Sequence, residues 1–153
     1  LAAIQAAGMV RSTEAVDKLI SVIERSDYQD ERLAATMSLG FIGDDRSVPI
    51  LNELLADEEP NIRWDAAIAL AKMGEISSAP IIENLMDRSY LTTFPELDPK
   101  EVNKVILTAI ETSSLVKYDR FEPKLVLLAE SDENLKVRDA AIKMLKKSYN
   151  RII

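Results

Sequence analysis

Cysteine and histidine are both absent from this 153-residue chain. Their absence removes disulfides, thiolate and imidazole metal ligands, and every Ser–His or Cys–His nucleophile pair. Zinc normally takes His or Cys ligands, so no zinc site is expected. Glycine is scarce, at four residues, and no P-loop, nucleophile-elbow or EF-hand motif occurs. Asp44-Asp45 and Glu58-Glu59 are adjacent acid pairs in turns, and adjacency alone does not make a catalytic dyad. The chain therefore reads as a non-enzyme with no cofactor. Long apolar runs are missing as well. The longest uncharged stretch, Leu33–Gly43, is about half the ~20 residues that a membrane-spanning helix needs. Leu1–Val10 has neither the basic lead nor the cleavage site of a signal peptide. Basic residues are the minority charge, at 19 against 26 acids, giving −7 overall and a pI near 4.7. Nucleic-acid binding rests on Lys and Arg neutralising phosphates, so neither a nucleic acid nor a membrane is expected as partner.

What is present is a recurring helical unit. In Asp57–Gly74, residues Ile62, Ala66, Ala69, Leu70 and Met73 recur at steps of three and four, the helix period. Pro60 suits a first helical turn, where its missing N–H has no partner to lose. Gly74 can take the left-handed conformation that ends a helix. The pattern also appears 31 residues earlier: Arg32, Ala35, Leu39, Ile42, Gly43 and Pro49 stand where Arg63, Ala66, Leu70, Met73, Gly74 and Pro80 stand later. A helical unit with such a period means a repeat array.

In chain order, Leu1–Ala7 reads as the second helix of a hairpin whose first helix is missing. The next helices are expected at Thr13–Arg25, Asp30–Ile42, Arg46–Ala56, Asn61–Met73, Ser77–Arg88, Lys100–Thr112, Phe121–Glu130 and Leu135–Tyr149. The residue matching Arg63 in the third hairpin is Asn103, which implies an insertion of about nine residues at Ser89–Leu97. Asp98-Pro99-Lys100-Glu101 has the cap, proline and third-position acid of a helix start. The division is thus one repeat domain over 1–153: a truncated hairpin at 1–8, repeats at about 13–43, 46–74, 77–113 and 120–149, and an insertion loop at 89–97. The chain does not begin with Met, which points to a fragment or a processed product. Missing upstream repeats, or self-association through the N-terminal edge, would then cover Leu1–Ala7.

Acids precede several helices: Asp27, Asp30 and Glu31; Asp57, Glu58 and Glu59; Asp132 and Glu133. Carboxylates there favour the positive end of the helix dipole by about 0.3–1 kcal/mol each; the alternative is an acidic ridge that attracts a basic partner. Lys136, Arg138, Lys143, Lys146, Lys147 and Arg151 make the last helix basic, which suits either a polar cap on the array or a basic docking patch.

Arg63 with Ala66 and Leu70, the acid six residues earlier at Asp57, and an early proline in the partner helix together resemble HEAT repeats. The short Ala-rich unit ending Leu39-Gly40-Phe41-Ile42-Gly43 is similar to the HEAT-like repeats of phycobilisome lyases. The resemblance implies an all-α, right-handed α-solenoid of antiparallel helix hairpins, about nine helices in all. It also implies an Asp–Arg ladder between repeats, matched here at Asp57/Arg63 and Asp132/Arg138. Asn103 in place of Arg breaks that ladder near the insertion.

The resemblance places the second helix of each hairpin on a concave side. With Ile62, Ala66, Ala69 and Met73 inward, Trp64, Ile68 and Ala71 point to solvent. The period then adds Leu33, Met37 and Gly40, with Phe41 flanking, and before them Leu1, Gln5 and Gly8, with Met9 flanking. The corresponding Lys104, Thr108, Asp139 and Lys143 are polar. Either neighbouring helices bury the apolar stripe, or a protein partner lies on it. The reading adopted is a non-catalytic interaction scaffold, with a partner's helix or extended segment along Leu33, Met37, Phe41, Trp64 and Ile68. Tyr90 and Phe94 join as candidates, since the insertion has more apolar content than a solvated linker needs; they could equally fold back over the gap it opens. The alternatives are a chaperone or lyase-associated subunit holding a cofactor-bearing protein, and a structural spacer in a larger polypeptide.

Overall fold

The computed structural model describes residues 2–4 and 13–153. Leu1, Gln5, Gly8 and Met9, named above, lie outside the described residues. Among the described residues every regular element is a helix: α1 (Val16–Arg25), α2 (Gln29–Ile42), α3 (Val48–Leu54), α4 (Pro60–Lys72), α5 (Ala79–Leu85), α6 (Arg88–Leu91), α7 (Pro99–Ser113), α8 (Phe121–Ser131) and α9 (Leu135–Tyr149). Each helix expected beyond residue 12 is present. The fold is all-α and HEAT-like.

Local chemistry sets the boundaries. Gly43 and Gly74 have φ of 68° and 79°, the left-handed conformation expected just past a helix. Pro60 and Pro99 open α4 and α7. Asp98 and Glu101 form the anticipated capping box, with the Asp98 carboxylate accepting from the Lys100 and Glu101 N–H groups at 2.8 Å. The periodicity did not disclose three short 3₁₀ turns, Thr13–Ala15, Asp45–Ser47 and Ile76–Ser78, which lead into α1, α3 and α5. Buried Ser47 and Ser78 close two of them by donating to the Asp44 and Glu75 carbonyls at 2.6 and 2.7 Å.

The chain divides into two compact units, residues 1–78 and 79–153. In the first, α1 pairs with α2 and α3 with α4, and the two second helices, α2 and α4, pack on each other. Val16, Leu19, Ile23, Leu39, Leu51, Leu54, Ile62 and Leu70 fill the space between them. Each such side chain stabilises by about 1.5–3 kcal/mol through burial. In the second, α8 pairs with α9, α5 packs on α7, and α7 packs on α9. Its buried residues include Ile82, Leu85, Ile106, Ile110, Phe121, Leu125 and Leu145.

The insertion is not the plain loop expected. It opens with the helical turn α6, which Asp87 caps by accepting from the Ser89 and Tyr90 N–H groups at 3.0 and 3.3 Å. Leu91 is fully buried, and the half-buried rings of Tyr90 and Phe94 meet edge to face at 5.2 Å. Burial of Leu91 is what the fold-back alternative required.

Candidate partner-binding surface

Gly40 fixes how closely α2 and α4 approach. A Cβ there would lie 2.8 Å from the Ala69 Cβ and 3.3 Å from its Cα. Gly40 therefore belongs to the seam between helices, not to an open stripe. Met37, about one turn before it, and Phe41, the next residue, are 46% and 48% exposed. Leu33 and Ile68 are half-buried. Lys72 reaches across from α4, its Nζ 5.1 Å from the centre of the Phe41 ring, a cation–π distance.

Trp64 does not join this surface. It is 6% exposed, which corrects the expectation that it faces solvent. The reason lies in α4 itself. Ile62, Ala66, Ala69 and Leu70 are buried on one side, and Trp64, Ala67 and Ala71 on another. The helix packs against α2, α3 and the Ile76–Ser78 turn. A helix apolar nearly all round is an interior helix, and the one-sided face assumed from spacing does not apply to it. Asp65, also on α4, has its carboxyl pushed up to about 6 by burial, which the charge of Lys72 only partly offsets.

The acid–arginine ladder between neighbouring repeats is present at Arg32–Asp57, while Arg63 and Arg138 meet backbone carbonyls and not the carboxylates six residues before them. Arg32 pairs with Asp57 and donates through Nε to the Ile23 carbonyl at 3.2 Å. Burial raises the Asp57 carboxyl, but hydrogen bonds from Arg32 and the Glu59 N–H outweigh it and hold the group below its ordinary value. Arg63 reaches the Asp57 and Glu58 carbonyls at 2.7 and 3.1 Å, rather than the Asp57 carboxylate. Arg138 likewise donates to the Glu130 carbonyl at 3.0 Å.

The break expected at Asn103 is bridged. Arg88, the first residue of α6, donates through Nε and Nη2 to the two Asp132 oxygens at 3.0 and 2.8 Å, and through Nη2 to Asn103 Oδ1 at 2.8 Å. Arg88, the residue just before the insertion, thus supplies the guanidinium that position 103 lacks. Position-by-position matching could not find it, because Arg88 comes from a different place in the repeat. Beside it, Lys124 donates to Asp87 at 2.8 Å; that hydrogen bond, with one from Ser89, lowers the Asp87 carboxyl to about 2. A cleft of about 270 Å³ at this point is lined by these paired charges together with Met86, Leu127 and Leu128.

Among the described residues no group of three Asp or Glu side chains is placed to hold a metal ion, and no helix is long and apolar enough to cross a membrane. The surface's chemistry is that of contact: apolar side chains, one cation on an aromatic face, and hydrogen-bonded ion pairs that hold neighbouring hairpins together.

No protein of curated function matches the chain. The sequence profile of HEAT repeats does match it, over residues 16–93, half of its length. With the paired helices, the glycine stops and the arginine contacts in place, the chain belongs to the HEAT-repeat family.

Proposed function

We propose that this chain is a non-catalytic protein–protein interaction scaffold, and that a partner's helix or extended segment lies along Leu33, Met37, Phe41 and Ile68. HEAT repeats generally mediate protein–protein interaction and are typically non-catalytic. The observation that carries the assignment to this face is the pair Met37 and Phe41, one turn apart on α2 and each about half exposed. Exposed apolar side chains that adjoin mark interaction sites more than scattered ones do, and flexible Met suits an adaptable contact. Trp64 drops out of the proposed contact, and Tyr90 and Phe94 become secondary to it. A single repeat domain over 1–153, and self-association through the N-terminal edge, belong to the same proposal.

Affinity capture from the native lysate, with wild type beside Met37→Ser/Phe41→Ser, tests it. The variant should lose the main partner while its circular dichroism and Tm stay near wild type. The same partners retained in full would remove this face from consideration. The lyase-type resemblance rests on the Gly-ended unit Leu39–Gly43, whose Gly43 does take the left-handed stop. That narrower reading, a chaperone or lyase-associated subunit, requires the captured partner to be a cofactor-bearing protein.

A further inference from the structure

An open groove of about 710 Å³ runs along α7 and the start of α9, entirely within the second unit. Its volume lies in the range of about 300–1,000 Å³ typical of ligand sites. Lys100, Lys104 and Lys136 line it, with Leu107 and Leu135 supplying apolar surface. Leu135 is 73% exposed, although it begins a helix whose other face is core. None of the three lysines has a carboxylate within ion-pair distance among the described residues. Of the other cations on or beside α9, Lys143 pairs with Asp139 at 2.7 Å and Arg151 with Glu122 at 3.0 Å, while Lys146 and Lys147 have no carboxylate within ion-pair distance among the described residues. Two acids, Glu111 and Glu133, also line the groove, against the three lysines. Arg88 holds Glu133 at 3.4 Å, and Glu111 sits two turns along α7 from Lys104. The groove is therefore locally cationic on a chain of net charge −7.

We infer that this groove binds a short acidic protein segment carrying an aliphatic side chain, with its carboxylates on Lys100, Lys104 and Lys136 and its aliphatic group on Leu107 and Leu135. Charge complementarity selects the occupant. Lysines without partners favour carboxylates, and screening over roughly 8 Å confines that attraction to the groove despite the acidic surroundings. A nucleic acid fits less well. No aromatic side chain lines the groove to stack a base and no arginine forks onto a phosphate. A long polyanion would also meet the rest of the acidic surface. By repeat register Lys104 and Thr108 occupy the places of Leu33 and Met37, so the same helix face carries different chemistry in the two units.

Fluorescence anisotropy on the full chain tests this, with labelled Glu-Asp-Leu-Glu-Asp-Leu-Glu-Asp as the probe. Its serine-for-leucine analogue, a Lys/Arg counterpart and an oligouridylate of equal charge are the comparators. The acidic leucine peptide should bind best. Lys104→Gln/Lys136→Gln should weaken it by about two- to thirtyfold, as two lost exposed ion pairs would. Leu135→Ser should abolish the preference for leucine over serine, and Met37→Ser/Phe41→Ser should change nothing. These arms separate failure of the groove from failure of the α2 face. No binding, equal binding of the oligouridylate, no effect of the lysine changes, or loss of binding in the Met37/Phe41 variant would each overturn the inference.

Discussion

Asp132 is 8% exposed, and a carboxylate so placed needs compensation from nearby donors. It receives both nitrogens of the Arg88 fork and the Asn134 N–H at 2.9 Å. Replacing Arg88 with Met keeps bulk but leaves the carboxylate with one backbone donor, and Asn103 loses its partner too. Removing one member of a fully buried pair costs about 3–5 kcal/mol. Arg88 keeps 18% of its side-chain surface in solvent, so a loss of about 2–4 kcal/mol is expected for Arg88→Met in urea unfolding. Arg88→Lys should fall between, since it keeps the charge and loses the fork. A change within ~0.5 kcal/mol, the range of ordinary surface substitutions, would show that the bridge is incidental.

Between helices, the decisive feature is the Gly40–Ala69 contact. On an isolated helix, Gly to Ala gains about 1 kcal/mol of propensity. Here the new methyl would meet another Cβ at 2.8 Å and a backbone Cα at 3.3 Å, neither of which is the end of a flexible chain. Overpacking of this kind costs about 1–3 kcal/mol, so steric strain should win. Gly40→Ala should lower Tm, by up to about 8 °C, and adding Ala69→Gly should recover part of that loss; a Tm that rises in the single variant would mean the helices simply move apart. The helices themselves were legible, because period, caps and glycine stops are local signals. Gly40 was legible as a repeat position but not as a contact, since spacing reports only one face of a helix. Trp64 was misplaced for the same reason: α4 has more neighbours than one hydrophobic face implies. Leu91 was hidden because an insertion has no counterpart in other repeats to be compared with, and Arg88 because it stands 31 residues after Asp57, where the repeat leads one to expect an acid.

For the whole chain, pH should act through two opposed sets of carboxylates. Burial raises Asp65 to about 6 from an ordinary 3.8, so its ionised form is disfavoured in the folded state. The stability it withholds is therefore absent as a cost below pH 3.8 and fully felt above about 6. Asp87 works the other way. Lys124 and Ser89 hold it at about 2, so its contribution is intact above 3.8 and lost as pH falls through about 2. Asp57, lowered by Arg32 and the Glu59 N–H, adds to that acid limb. Net self-repulsion from the −7 charge also fades as pH falls toward 4.7. Urea midpoints measured from pH 3 to 8 at low protein concentration should therefore rise on acidification from neutrality, peak between about 4 and 5, and fall below that. Asp65→Asn should raise the midpoint at pH 7, flatten the limb between 4 and 6, and leave the acid limb in place. Lys124→Met should do the reverse, lowering the midpoint above pH 3.8 and flattening the acid limb while the slope of the neutral limb stays in place. If the Asp65→Asn curve ran parallel to wild type, the buried carboxyl would not be the source of the neutral limb, and charge repulsion alone would have to account for it.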